Sequence, residues 1–381
     1  MTDGLRAMVL GSGYAGQGHT IALRKAGVEV VAMASRTADV CKEVAKKLGI
    51  PNAGVDWRGM LGDLKPDIVA VGTPGGTHLE MIWEALKTGC HVLSDKPLAT
   101  TAGDARDLYR LSKERGLKTA YAASFRYQPQ TLYARELVRA GTLGQVFEAE
   151  CISHYNWPAS MPFGWPHRLE EGGGRLNNNF THKLAIVQNI LGGEVLAAMG
   201  ECRNDLKRAP IGEAVHDFRE YFKRTVPSDE ADRRGWATVD SDWSYTVLAR
   251  IGDRSSEIEG AATATFRHSA LRLGKNPDYV AIYGENGTLH IEGSYTQGAM
   301  FLRTSGDGWE ELSVPKRIYD MLPDEADNTQ RNWNQLVQEF VADIRGQGNA
   351  GYLTFRDGWI YQEVIDIVRS GKGWTPLPAD L

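Results

Sequence analysis

The run Gly11-Ser12-Gly13-Tyr14-Ala15-Gly16 constrains the fold of this chain more than any other stretch, because of what flanks it. A short apolar strand pattern over 5–10 precedes it. A helical pattern over 17–26, closed by Gly27, follows, and then a second strand pattern over 28–34. Strand, G-x-G-x-x-G, helix and strand, in that order, form the unit that binds the pyrophosphate of a dinucleotide. Gly11 permits the tight turn, Gly13 lets the backbone approach a pyrophosphate, and Gly16 lets helix and strand pack closely. Ser12, Tyr14 and Ala15 complete the loop, and the helix N-terminus faces the phosphates. A carboxylate that binds the ribose 2′-hydroxyl is expected about 20 positions further on. Here the chain reads Ala34-Ser35-Arg36-Thr37, and Asp39 falls in the next helical pattern. Ser35 and Arg36 suit a 2′-phosphate by hydrogen bond and charge, so the cofactor is read as NADP or NAD, leaning to NADP.

The alternation continues. Val40, Val44 and Leu48 mark a helix face ending at Gly49, 67–72 reads as a buried strand, and Leu79, Ile82 and Leu86 form the next helical stripe. A strand over 91–94 and one over 118–123 flank a helix capped by Thr101, with Asp104 three residues on. Alternating strands and helices predict an α/β unit with a doubly wound parallel sheet. From Ser124 the texture changes. After one helix, strand patterns over 146–155, 243–251, 257–266, 279–283 and 288–291 follow with turn signals between them, and two helical patterns (333–344 and 357–369) come last. Successive strands predict a large, mostly antiparallel sheet. The expected division is a Rossmann dinucleotide-binding domain over 1–124 and an α+β substrate-binding and oligomerisation domain over 125–381.

The 381 residues are enough for two such cores. A formal net charge of −5 without charge blocks argues against nucleic acid or a membrane surface as the main partner. The four cysteines are Cys41, Cys90, Cys151 and Cys202; their spacing offers neither a metal site nor a disulfide framework. No basic-then-apolar leader and no apolar run near the roughly 18 residues of a membrane span are present, so a soluble protein of the cytoplasm is expected.

Two stretches place chemistry at the carboxyl edge of the parallel sheet, where open α/β sheets bind ligands. Thr73-Pro74-Gly75-Gly76-Thr77-His78 follows one strand. Val92-Leu93-Ser94-Asp95-Lys96-Pro97 ends another and presents Lys96 as a cation and hydrogen-bond donor.

With these residues in view, the chain resembles the Gfo/Idh/MocA family, glucose-fructose oxidoreductase, inositol dehydrogenase and relatives, over nearly its whole length. The resemblance is carried by Gly11 to Gly16, Thr73-Pro74 with Thr77-His78, Asp95-Lys96-Pro97, and Arg126-Tyr127 with Pro129. Gly172-Gly173-Gly174 with His182 and the late Thr354-Phe355-Arg356-Asp357-Gly358 add to it. It implies a nicotinamide cofactor and a sugar, glycoside, polyol or related small molecule as substrate. It also implies that Lys96 is the lysine of the family's E-K-P motif, with Asp95 in place of Glu, and that Thr73, Pro74, Asp95 and Lys96 lie at the cofactor. The family's second catalytic segment, G-G-G-x-L-x-D-x-G-x-H, reads here Gly172-Gly173-Gly174-Arg175-Leu176-Asn177-Asn178-Asn179-Phe180-Thr181-His182. Asn178 replaces the carboxylate and Phe180 a glycine. An amide can orient a hydroxyl but cannot take up its proton.

Oxidation of a secondary alcohol needs a proton acceptor at the hydroxyl. His182, with an ordinary pKa near 6.5, is read as the acid/base, Lys96 as its electrostatic partner, and Asn178 as a third catalytic-site residue; a desolvated lysine can also act as a base, which gives the opposite assignment. His78 is expected to support the cofactor loop. Arg126, Tyr155, Trp157, Trp165, Asn177 and Asn179 are the substrate-side candidates, because aromatic faces with nearby donors suit a sugar ring. Two other readings stand beside this one: a glycoside-cleaving enzyme that uses tightly held NAD for transient oxidation, and a nucleotide-binding sensor without catalysis. The polar segment 204–238 reads as an insertion over the active site, a subunit contact or, by default, a solvated excursion. The open face of the second sheet, which the family often covers with another subunit, implies a homodimer or homotetramer.

Overall fold

The alternating patterns at the start of the chain fold into one parallel sheet. The computed structural model describes residues 4–215, 218–255, 260–304, 306, 308–348 and 351–381. In it β1 (Arg6–Leu10), β2 (Glu29–Ala34), β3 (Asn52–Gly54), β4 (Ile68–Val71), β5 (His91–Ser94) and β6 (Thr119–Tyr121) lie in the order β3-β2-β1-β4-β5-β6. All five pairings are parallel. The connecting helices are α1 (Tyr14–Lys25), α2 (Ala38–Leu48), α3 (Trp57–Leu64), α4 (His78–Lys87) and α5 (Ala102–Glu114). Strand order reverses beside β1, and this opens a crevice at the carboxyl edge. α1 begins at Tyr14, inside the glycine run and earlier than its apolar stripe indicates. Thr101 caps α5 by accepting from Asp104 N at 3.1 Å.

The second part runs α6 (Pro129–Arg139), β7 (Val146–His154), α7 (Thr181–Leu191), β8 (Glu194–Arg203), β9 (Arg208–Pro210), α8 (Phe218–Tyr221), α9 (Ser228–Arg234) and β10 (Trp236–Thr238). It continues through β11 (Ser244–Gly252), β12 (Ala262–Ser269), β13 (Asp278–Gly284), β14 (Gly287–Glu292), β15 (Met300–Thr304) and β16 (Glu310–Leu312). α10 (Lys316–Asp320), α11 (Asn328–Ile344), α12 (Phe355–Ser370) and β17 (Thr375–Pro376) close the chain. Nine strands form one sheet, ordered β16-β15-β14-β13-β7-β12-β11-β8-β17. Every neighbouring pair is antiparallel except β7 with β12. The strand expected over 257–266 begins in residues 257–259, outside the described residues; the described strand starts at Ala262.

The two closing helices return to the first sheet. α11 packs along α1 so tightly that a Cβ on Gly18 would lie 2.1 Å from the Trp333 ring. Leu336, Val337 and Phe340 of α11 share a core with Leu23 and Val30. α12 is capped by Thr354, whose N donates to Asp357 Oδ2 at 2.8 Å. Gly358 on α12 lets it approach Leu98, two residues beyond Lys96, where a Cβ would come within 2.9 Å of the Leu98 side chain. The late Thr354-to-Gly358 motif therefore has a packing role next to the lysine segment.

The described residues of 204–238 do not form a solvated excursion, which corrects the default sequence reading; they pack as an insertion beside the cavity. β9 and β10 pair, and Leu206, Ala209 and Tyr221 join Met161, Val239 and Trp243 in a small third core. Phe222 stacks on Trp157 with ring centroids 3.8 Å apart and planes at 16°. Tyr221 and Phe222 of this segment line the cavity described next.

Candidate active site

A cavity of about 1040 Å³ runs from the glycine loop, along the carboxyl edge of the parallel sheet, to the segment leading into α7. At one end the turn after β1 is set by Gly11, whose φ is +108°; a Cβ there would lie 2.7 Å from Gly72 O. Ser12, Gly13, Tyr14 and Ala15 line the cavity, whereas Gly16 lies behind the loop, where a Cβ would come within 2.0 Å of Gly11 O. No side chain caps α1, and a Cβ on Gly13 would meet nothing within 4 Å. Backbone N–H groups at a helix start, beside open space, fit a dinucleotide pyrophosphate. At the end of β2, Ser35 is tied to Ser12 by a 3.0 Å hydroxyl–hydroxyl hydrogen bond, and Arg36 is exposed at the rim.

In the middle of the cavity stand Thr73, Pro74, Asp95 and Lys96. His78 is fully buried outside the lining; its Nδ1 is 2.7 Å from Pro97 O and its Nε2 is 2.8 Å from Thr73 O. It ties the Thr73 loop to the lysine segment. Asp95 Oδ1 accepts from Lys96 N at 2.7 Å, and its Oδ2 is 3.7 Å from His19 Nε2, beyond hydrogen-bond distance. Burial works to raise the Asp95 pKa, but His19 and Lys96 outweigh it and hold the carboxyl well below the usual range. Burial lowers the pKa of Lys96; Asp95 opposes that and Arg175 adds to it.

At the far end the two parts of the chain meet through glycines. A Cβ on Gly172 would lie 2.7 Å from Gly75 Cα, so only bare backbone lets these loops touch. The chain then enters a wide π-helical turn, Leu176–Phe180, before α7. Asp242 anchors this turn by accepting from Leu176 N at 2.8 Å and pairing with Arg369 at 2.9 Å. Asn178 donates to Gly172 O at 3.0 Å and Gly174 O at 2.9 Å, and its Oδ1 receives Lys96 Nζ at 3.3 Å. The amide thus joins Lys96 of the first sheet to the turn of the second part. His182, one residue into α7, lines the same space, with Phe125 edge-on to its ring at 4.9 Å. Burial, reinforced by the Lys96 charge, lowers the His182 pKa well below its usual value. The ring is neutral at pH 7, and its titration lies below the near-neutral position that its unperturbed pKa would give.

Of the substrate-side candidates, Tyr155, Trp157 and Trp165 line the cavity. Arg126, Asn177 and Asn179 do not. Arg126 is held by Asn189 Oδ1 at 2.9 Å. Asn177 is fully buried and donates to Gly173 O at 2.8 Å. Asn179 sits behind the wall, donating to Tyr295 OH at 3.1 Å and accepting from Tyr245 OH at 2.6 Å. Each is held behind the cavity wall by these hydrogen bonds, to the turn or to α7, which sequence spacing does not reveal. Sequence reasoning missed Phe125, Arg175, Phe222, Tyr295 and Trp333 among the lining residues. Only Arg175 carried a signal, as a cation between Gly174 and Leu176 in a segment already singled out.

Fold and cavity together define a two-part, dinucleotide-binding oxidoreductase scaffold. Residues 5–123 match the oxidoreductase family with an NAD-binding Rossmann fold, and residues 131–290 match the GFO/IDH/MocA C-terminal domain. The chain belongs to the Gfo/Idh/MocA family, whose NAD-binding members include sugar dehydrogenases. It is 24% identical to levoglucosan dehydrogenase of Pseudarthrobacter phenanthrenivorans over 202 residues, covering 49% of this chain and 51% of that protein. It is 31% identical to D-glucoside 3-dehydrogenase of Escherichia coli over 170 residues, covering 43% and 47% respectively. The chain therefore spans about half the length of these two dehydrogenases. The solved structure of levoglucosan dehydrogenase with NADH and L-sorbose superposes with a TM-score of 0.82 at 18% identity, covering 98% of this chain and 99% of that one. At that identity the likeness speaks for the fold.

Proposed function

We propose that this protein is an NAD(P)-dependent dehydrogenase of a sugar, glycoside or polyol secondary hydroxyl, with a nicotinamide cofactor lying along the glycine loop and supplying the hydride acceptor. The observation that carries the reading is the convergence on one cavity of Lys96, from the end of β5, and His182, from α7, with Asn178 linking Lys96 to the turn before α7. Ser12, Gly13 and Tyr14 would hold the pyrophosphate, and Thr73 and Pro74 would lie beside the nicotinamide half. Lys96 would hold the reacting oxygen and stabilise negative charge developing on it. His182, neutral at pH 7, would receive the hydroxyl proton. Asn178 would orient Lys96 and take no proton. Tyr155, Trp157 and Trp165 would wall the sugar ring and exclude water.

Arg36 makes no ion pair among the described residues, which supports NADP over NAD. The first 124 residues would bind the cofactor and the remainder the substrate, with α11 and α12 bracing the first sheet. The uncovered face of the nine-stranded sheet would pair with a second copy. The described cysteines are free thiols, and no helix among the described residues is long and apolar enough to cross a membrane; both fit a cytoplasmic setting.

The test is anaerobic incubation with NADP and then NAD against sugars, inositols and aryl glycosides, recording nicotinamide reduction and product masses together. A ketosugar formed in step with reduced cofactor is expected. Glycoside cleavage without net reduction would instead support the second reading, a redox-neutral cycle on tightly held cofactor. Nucleotide binding without any product would leave a sensor.

A further inference from the structure

We propose that Arg175 is a specificity residue that binds a carboxylate on the substrate, so that the cavity takes an acidic carbohydrate, a uronate or aldonate, in preference to a neutral sugar. The inference rests on the reading of the cavity as a carbohydrate site.

Arg175 is 5% exposed, yet it lines the cavity. Its Nε donates to His268 Nε2 at 3.1 Å. His268 Nδ1 lies 2.7 Å from Ser153 O, so the ring carries its proton on Nδ1 and offers Nε2 as an acceptor. The guanidinium lies over Trp157, with Cζ 4.3 Å from the ring centroid, and Phe222 backs that indole at 3.8 Å. Orientation is thereby set without the two terminal nitrogens, which have no hydrogen-bond partner among the described residues.

Among the described residues no carboxylate lies within the 4.0 Å of an ion pair with Arg175. The acidic groups that face the cavity are otherwise engaged: Asp95 accepts from Lys96 N at 2.7 Å, and Glu171 pairs with Arg168 at the rim, with Glu170 4.0 Å from the same arginine. Asn178 removes one more negative charge where the family pattern carries Asp. A cation withdrawn from water without a counter-charge is strongly unfavourable unless a ligand supplies the charge. One planar guanidinium edge with two parallel N–H groups matches a carboxylate in bidentate fashion. Among the described residues the only other cation lining this end is Lys96, which the proposed function assigns to the reacting oxygen, so a phosphate dianion would be under-matched.

The test compares kcat/KM for gluco, galacto and manno methyl glycosides, their 6-carboxylates and their 6-phosphates, using wild-type protein, Arg175→Gln and Arg175→Lys. The expected result is a preference for carboxylates over neutral glycosides of at least about 10-fold, reduced about 100-fold in Arg175→Gln mainly through KM. Activity on the neutral partner should change less than about threefold, and Arg175→Lys should fall between. Neutral glycosides preferred by the wild type, equal losses on both classes, or phosphates preferred would each overturn the proposal. If no glycoside is oxidised, the dehydrogenase reading fails by itself, and calorimetric binding of glucuronate against glucose to nucleotide-loaded protein decides. Binding of glucuronate that is lost in Arg175→Gln upholds the proposal; equal binding of the two sugars overturns it. Unchanged nucleotide affinity in the variants shows that they are folded, and Arg175→Lys serves alone if Arg175→Gln is not.

Discussion

Lys96 and Lys183 are both withdrawn from bulk water beside the same cavity, but their surroundings differ. Lys96 is partly exposed to the cavity, with Asp95 behind it and the Asn178 amide in front at 3.3 Å. Lys183 has no exposed surface; its Nζ donates to Ser294 Oγ and lies 3.2 Å from the Tyr295 ring centroid, on the far side of the wall. Burial lowers the pKa of both, that of Lys183 to about 7. Burial and a shifted pKa are thus common to both. A carboxylate favours the charge of each, Asp95 for Lys96 and Asp278 for Lys183; what separates them is open volume in front of the ammonium. A perturbed lysine marks a candidate site only where a cavity meets it.

The largest effect that would sharpen this contrast is at Lys96. Lys96→Met should lower turnover by at least about 1000-fold while nucleotide affinity, read by quenching of Trp57 and Trp333 fluorescence, stays the same. Unchanged turnover would erase the distinction between the two lysines. Next, His182→Asn should cost about 100-fold in kcat/KM. Because the folded-state pKa is depressed, the neutral ring persists below the unfolded value. Oxidation by the wild type should therefore show no loss of kcat/KM between about pH 7.5 and about pH 6.5, and a limb centred there would contradict the buried, neutral histidine.

At the rim, Arg36→Ala should weaken NADP by about 10-fold and leave NAD unchanged, read as the ratio of the two Kd values. The smallest effect on activity is expected at Lys183, where Lys183→Met should alter kcat less than about twofold. Its signature is in stability. With the folded pKa near 7 and an unfolded value of 10.5, the unfolded chain binds more protons across that interval, so stability rises with pH through it. Lys183→Met should flatten that rise in denaturation midpoints and, at pH 7, leave the protein as stable or up to about 2 kcal/mol more stable.

Local features were legible in the chain. Apolar periodicity and glycine placement disclosed β1, β2, β4, β5 and β6 with most of their helices, and Thr101 read as a cap because its spacing to Asp104 is a local matter. The short β3 and α3 escaped, since Asn52–Gly54 is too brief to show alternation. In the second part, strands with alternating burial such as Ser244–Gly252 were visible, while their order in a nine-stranded sheet was not.

By itself the sequence determined which residues could carry the chemistry: the glycine loop, Lys96 at a strand end, and His182 after the Gly172 run. Those signals depend on neighbours in the chain. Tertiary structure alone decided which side chains face the cavity. It turned Arg126, Asn177 and Asn179 into braces, brought Trp333 from α11 against α1, and folded the 204–238 segment so that Phe222 backs Trp157. It also left Arg175 buried without a carboxylate among the described residues. The physical reason is that side-chain direction and desolvation depend on contacts between residues far apart in the chain, and no local pattern encodes them.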